Sequence, residues 1–205
     1  MKLYYTPGAC SQAPHIAIHE LGLPYEAVKV DLATHKLEDG TDYRTINPKG
    51  YVPTLELDDG TRLTEANVIL QYLAEQKPGR LAPAFGSKER WKLIEWLAFI
   101  ATEIHKGFGP LWNPDIPEAT RASTVAKLGK RFDFIAPVLE RQQYLLGNAF
   151  TIADAYLYTV ASWSAYLKVD LSRWPAIGKY LERVGARPSV QAAKRVESGA
   201  KKEAA

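Results

Sequence analysis

Cys10 is the only cysteine in a chain of 205 residues, and it stands where a strand-like opening, KLYYTPGA, gives way to a helix-like run, SQAPHIAIHEL. A thiol at such a junction faces the positive end of the helix dipole and its unpaired backbone donors, which favour thiolate over thiol. That placement makes Cys10 a candidate nucleophile; the plain alternative is a small buried hydrophobe. Pro7 and Gly8 form the preceding turn, and Ser11 is placed to cap a helix beginning near Gln12. His105 shares a helical stripe with Ala98 and Ala101, whose small side chains leave room for a neighbouring element or a ligand. Beside a thiolate, a histidine would hydrogen-bond the sulfur or stabilise its charge; otherwise it is a satisfied core residue.

Glu65 opens the run EANVILQYLAEQ, where an acid favours a helix start on stability grounds alone. The amides of Ala66 and Asn67 could also hold a carboxylate while Glu65 pairs with an ammonium, which together would grip an amino-acid head group. In YVPTLEL, the Val52–Pro53 bond is trans by default and marks an edge-strand start, whereas a cis bond would turn the Val52 backbone toward an extended peptide. His15 and His19 have the four-residue spacing of a metal pair, but no third ligand is apparent, and the adjacent Glu20 points to a solvated face. Tyr4, Tyr5 and Ser11 offer hydroxyls near the same turn, with packing and capping as their ordinary roles.

The elements that must position these residues change character along the chain. Strand-like runs are expected at 2–5, 25–30, 54–57 and 62–64, with helical faces at Pro14, Ala17, Ile18 and Leu21 and at Val68, Ile69, Tyr72 and Leu73. Strand, helix, strand implies a parallel pair with a right-handed crossover, and the Asp58–Gly60 turn implies an antiparallel hairpin, so the sheet is mixed. KPGRLAPAFGS, with two prolines and two glycines, reads as a linker. Everything beyond it reads helical. Trp91, Ile94, Ala98, Ala101, His105 and Phe108 form one stripe and Leu93, Leu97, Ile100 and Ile104 a second, so that helix is expected to be buried on most of its girth. A further helix follows Pro117, Thr151 to Asp154 has capping-box spacing for a helix through Leu167, and the last helices lie near 174–185 and 189–194.

A composition of 46% hydrophobic and 24% charged residues is ordinary for a soluble globule. The net charge of +3 is dispersed, with Lys194, Arg195, Lys201 and Lys202 offset by Glu197 and Glu203 in a solvated tail, which speaks against a nucleic-acid partner. A lone cysteine excludes an intrachain disulfide, and the start MKLYYTPG lacks the apolar stretch of a signal peptide or membrane span, so a reducing cytoplasm is expected.

The segments MKLYYTPGACS with PHIA, INPKGYVPTLELDDG, LTEA with QYLA, EWLAFIATEIHKGF, FTIADAYL and ARPSVQ, in this order and spacing, resemble the bacterial beta-class glutathione S-transferases almost end to end. The resemblance implies an α/β thioredoxin-like N-terminal domain with a mixed four-stranded sheet over 1–77, a linker over 78–87 and an all-α domain over 88–205. It implies a cytoplasmic homodimer active in detoxification, using glutathione as co-substrate with a small electrophile, and needing no metal, nucleic acid or membrane. Conjugation is the reaction expected, with thiol–disulfide exchange through Cys10 beside it; a monothiol disulfide oxidoreductase and a non-catalytic binding module are the rivals. Carried over by residue, Cys10 and His105 are catalytic, the sulfur of Cys10 lying beside that of glutathione. Tyr5, Ser11, His35, Lys36, Val52, Pro53, Glu65, Ala66 and Lys106 bind glutathione. Tyr51, Phe108, Trp112 and Trp163 supply the electrophile pocket, and Thr151 with Asp154 form a structural box. Ala66 replaces a Ser or Gly common in relatives, Ala98 an asparagine, and His35 a lysine that holds the glycine carboxylate, with Lys36 adjacent.

Overall fold

The computed structural model describes residues 1–199, so the tail expected over Lys201, Lys202 and Glu203 lies outside the described residues. Strand β1 (Lys2–Tyr5) pairs in parallel with β2 (Glu26–Asp31) and antiparallel with β4 (Thr54–Glu56), which forms a hairpin with β5 (Arg62–Thr64). The mixed sheet is as expected, but it has five strands and not four. The chain reverses at His35 with φ 54°, Asp31 accepts from the amides of Ala33 and Thr34, and the two-residue β3 (Lys36–Leu37) returns against β2. A strand this short carries no readable alternation.

Alternation along β1 sorts its side chains. Leu3 and Tyr5 enter the main core, while Tyr4 joins Val30, Tyr43 and Val52 in a small cluster on the opposite face. Helices α1 (Gln12–Leu21) and α2 (Ala66–Glu75) cover the main-core face through Ile16, Ala17, Ile69, Leu70 and Leu73, all fully buried. The second half is helical: α3 (Lys88–Phe99), a π-helical segment (Ile100–His105), short α4 (Lys106–Phe108), α5 (Glu118–Arg141), α6 (Ile152–Ala161), α7 (Trp163–Tyr166), α8 (Pro175–Gly185) and α9 (Pro188–Glu197). Every residue of α6 is buried, and α1 packs against both α6 and α9. Burying an apolar helix on all sides joins the two halves through one continuous core.

Two helical expectations change in detail. The helix expected through Leu167 breaks after Ala161, where the Ser162 hydroxyl donates to the Tyr158 carbonyl and competes with the ladder. The long stripe containing His105 is not continuous either. The Lys106 amide bonds to the Ala101 carbonyl, five residues back, and this wider turn shifts the phase of everything after it. Trp91 and Ala98, before the segment, face outward, Trp91 at 63% exposure, whereas Phe108, after it, joins Leu93, Leu97 and Ile100 in the interior.

Candidate functional site

Cys10 sits at the mouth of α1 with its sulfur 3.3 Å from the Val52 carbonyl oxygen, to which the thiol donates. The amides of Cys10 and Ser11 pull its pKa down, as a helix start should, but burial outweighs them and pushes it up to about 12. The expected thiolate is thus corrected to a neutral thiol. Ser11 does not cap α1. Its side chain is fully buried and bridges the amide and carbonyl of Thr6, so it braces the turn and does not reach the cleft. Tyr5 is likewise in the core, tilted against the His15 ring at 5.3 Å.

The Val52–Pro53 bond is cis, the sharper of the two sequence readings. Val52 lies beyond the end of the β1–β4 ladder, whose last pair is Tyr4 with Thr54. The Tyr51 carbonyl just before it is held by the Tyr43 hydroxyl and the Asn47 amide, which fixes this edge. Glu65 adopts φ 67°, and no side chain closes the start of α2 behind it. Its carboxylate pairs with Lys49 at 2.8 Å. Lys49 was missed by sequence reasoning although it stands inside the quoted NPKG. His35 and the exposed Lys36 lie at the β3 end of the sheet, where the His35 ring packs on Gly50.

The helical half brings an aromatic group to the same place. The Trp163 indole donates to the Gly8 carbonyl at 2.9 Å, two residues before Cys10. Around Trp163 lie His105 at 5.1 Å, Phe108 at 5.9 Å and Trp112 at 5.4 Å between ring centroids. Phe108 is fully buried, so it supports the pocket wall and does not line it, and Tyr51, 69% exposed, stands outside the cluster. Tyr166, stacked on Trp112 and 76% exposed, extends the wall and was not anticipated. His105 Nδ1 lies 2.7 Å from the hydroxyl of Tyr156, and burial, reinforced by Lys106, pushes the imidazole pKa down to about 4. Lys106 itself is exposed and bears on the titration of both Cys10 and His105.

His15 and His19 prove to be part of a hydrogen-bonded chain that is buried at His15 and Glu197 and half-buried at Tyr25 and His19, not a solvated face. Glu197, from α9, accepts from the Gly8 amide and the Gln12 side chain at 3.0 Å each and meets His15 Nδ1 at 3.0 Å. His15 Nε2 reaches the Tyr25 hydroxyl at 2.6 Å, and that hydroxyl meets His19 at 2.9 Å. Gly8, at φ 73°, is therefore gripped by Glu197 at its amide and Trp163 at its carbonyl. Among the described residues no group of three or more His, Cys, Asp or Glu is placed to hold a metal, and no helix is long and apolar enough to cross a membrane.

Comparison with known proteins decides the family. The sequence models of the glutathione S-transferase N-terminal and C-terminal domains match residues 8–76 and 99–188. The chain belongs to the glutathione S-transferase family. It is 48% identical over 193 residues to glutathione S-transferase GstA of Escherichia coli O157:H7, covering 93% of this chain and 96% of that one. BphK, a bacterial member solved as a ternary complex, superposes with a TM-score of 0.94 at 51% identity, covering 97% of this chain and all of that one. A sphingomonad enzyme solved with glutathione gives 0.92 at 44% identity over 97% of this chain and 99% of that one. The expected fold class and the transferase activity both hold for this glutathione S-transferase, and the beta-class likeness is seen again in a Sphingomonas chungbukensis enzyme at 43% identity, with a TM-score of 0.92 over 96% of this chain and 98% of that one.

Proposed function

We propose that this transferase binds reduced glutathione along the Val52 edge and conjugates its sulfur to small apolar electrophiles held against the Trp112, Trp163 and Tyr166 wall. The observation that carries this reading is the Trp163–Gly8 hydrogen bond, which sets the aromatic wall beside the Cys10 thiol. The open start of α2 takes the γ-glutamyl carboxylate on the amides of Ala66 and Asn67, and Glu65, poised by Lys49, takes the ammonium. His35 and Lys36 serve the glycine carboxylate, and Lys106 adds positive charge to the cleft. In conjugation the glutathione thiolate attacks the electrophilic carbon, the sulfur–carbon bond forms and the leaving group departs with its electron pair. Cys10 as a thiol, with His105 on the same side, donates to that thiolate.

The same sulfur supports exchange. Deprotonated Cys10 attacks a glutathione disulfide, forms a mixed disulfide and releases one glutathione thiolate, which takes up a proton. The domain limits are 1–77 and 88–205 about the 78–87 linker. A homodimer is supported by an aromatic group of exposed Phe134 on half-buried Trp96 and Phe99, with ring centroids 5.2 to 5.8 Å apart, and by exposed Trp91 on the same helix as Trp96. A cytoplasmic detoxification role fits a single reduced cysteine and a broad apolar wall. Calorimetry with reduced glutathione and a conjugation assay with an aryl halide test the reading. Cys10→Ala is expected to lose exchange outright and to weaken conjugation without abolishing it, His105 remaining as a donor, and the absence of both heat and conjugation in the wild type would sink it.

A further inference from the structure

We propose that Tyr156 is a positioning residue that holds His105 as the neutral tautomer with its hydrogen on Nε2, so that the imidazole presents an N–H donor to the sulfur side of the cleft. The proposal rests on the reading of His105 given above and extends it to a residue on another helix.

The hydroxyl of Tyr156 lies 2.7 Å from His105 Nδ1, the rings meeting edge-on at 85°. Tyr156 is 2% exposed, and among the described residues its hydroxyl has no second hydrogen-bond partner. Two arrangements fit that distance. Were Nδ1 protonated, it would donate to the phenolic oxygen, and the phenolic hydrogen would be stranded in the interior without an acceptor. With Nδ1 bare, the hydroxyl donates to it and both buried groups are satisfied. Leaving a buried donor unpaired is the costly choice, so the second arrangement holds. The bond made by one ring nitrogen then fixes the proton on the other.

The neighbours exclude the charged forms. Burial and Lys106 keep the imidazole neutral against the opposing pull of Glu65, and burial, above all, with the negative charge of Glu65 raises the pKa of Tyr156, so its hydrogen stays available. The π-helical segment ending at His105 brings the ring against α6, and Trp163 packs across it at 67°. Tyr156 occupies the Nδ1 edge, so Nε2 is the edge left to the cleft.

Nitrogen-15 spectra of the full chain with labelled histidine, His105 being assigned by its loss in a variant, are expected to show a bare Nδ1 and a protonated Nε2 at neutral pH. Tyr156→Phe is expected to populate the other tautomer and to lower kcat roughly tenfold, the loss of one hydrogen bond, with KM for glutathione unmoved. His105→Gln, whose amide mimics Nε2, is expected to keep more kcat than His105→Asn, whose amide mimics Nδ1. A wild-type signal with the hydrogen on Nδ1, a Tyr156→Phe protein with unchanged tautomer and kcat, or Asn matching Gln while both fall below wild type would overturn the proposal. The spectra and the Gln–Asn pair decide it even if Tyr156→Phe fails to fold. Full conjugation in both His105 variants would instead overturn the underlying reading of His105 as a sulfur-side group.

Discussion

The starts of α6 and α2 solve the same problem in opposite ways. At α6, the Asp154 carboxylate accepts from the Thr151 amide and hydroxyl at 2.9 Å, from the Leu145 amide at 2.9 Å and from the Tyr180 hydroxyl at 3.2 Å. At α2, no side chain turns inward to the first amides, and Glu65 at φ 67° faces Lys49. A helix start leaves donors that something must satisfy. Where the protein satisfies them itself the start serves stability, and where it leaves them open in a cleft they are available to a ligand. The α1 start is intermediate: its amides partly serve the Cys10 sulfur.

Breaking the closed start should give the largest effect. Asp154→Ala strands three donors in the core, the Tyr180 hydroxyl keeping the backbone carbonyl of residue 154 at 3.1 Å, and is expected to cost about 3–5 kcal/mol of stability, read by denaturant unfolding. A loss below about 1 kcal/mol would erase the contrast. At the α1 start, the pKa of Cys10 near 12 means that thiolate, and with it mixed-disulfide formation, rises about tenfold per pH unit between roughly pH 7 and 9, followed by intact mass after timed exposure to oxidised glutathione. A flat profile there would show the thiol already ionised. At the open α2 start, Glu65→Gln is expected to weaken glutathione by roughly tenfold in calorimetry while leaving the melting temperature in place. A fall in melting temperature with unchanged affinity would reassign Glu65 to the structural class. The smallest effect belongs to Ser11→Ala, which removes the brace on Thr6 and is expected to cost about 1 kcal/mol of stability with glutathione affinity unaltered.

How far these features were legible in the residues follows the range of the forces behind them. The Thr151–Asp154 box, the Asp58–Gly60 hairpin and the parallel β1–β2 pair are local or set by periodicity, and each appears as expected. The π-helical segment is not local. Its phase shift is visible only once α3 and α6 are packed, which is why Trp91 and Phe108 were placed in one stripe. Cys10 shows the same limit, for a helix start argues for thiolate while the desolvation that overrides it depends on the surrounding fold. Glu197 looked like one more charge in a solvated tail. In sequence Glu197 stands between Val196 and Ser198 and gives no signal of its burial, whereas Tyr156 is a tyrosine among apolar neighbours in IADAYLYTVA, a signal that does not name its partner.

Gly8 and Glu197 lie at opposite ends of the chain, 189 positions apart, yet the first depends on the second. Domains emerging from the ribosome fold in order, the leading one first. This thioredoxin-like half can acquire its sheet early, but the loop before Cys10 gains its carboxylate anchor only when α9 has been synthesised. A polypeptide that stops short of α9 lacks this anchor on the loop before Cys10.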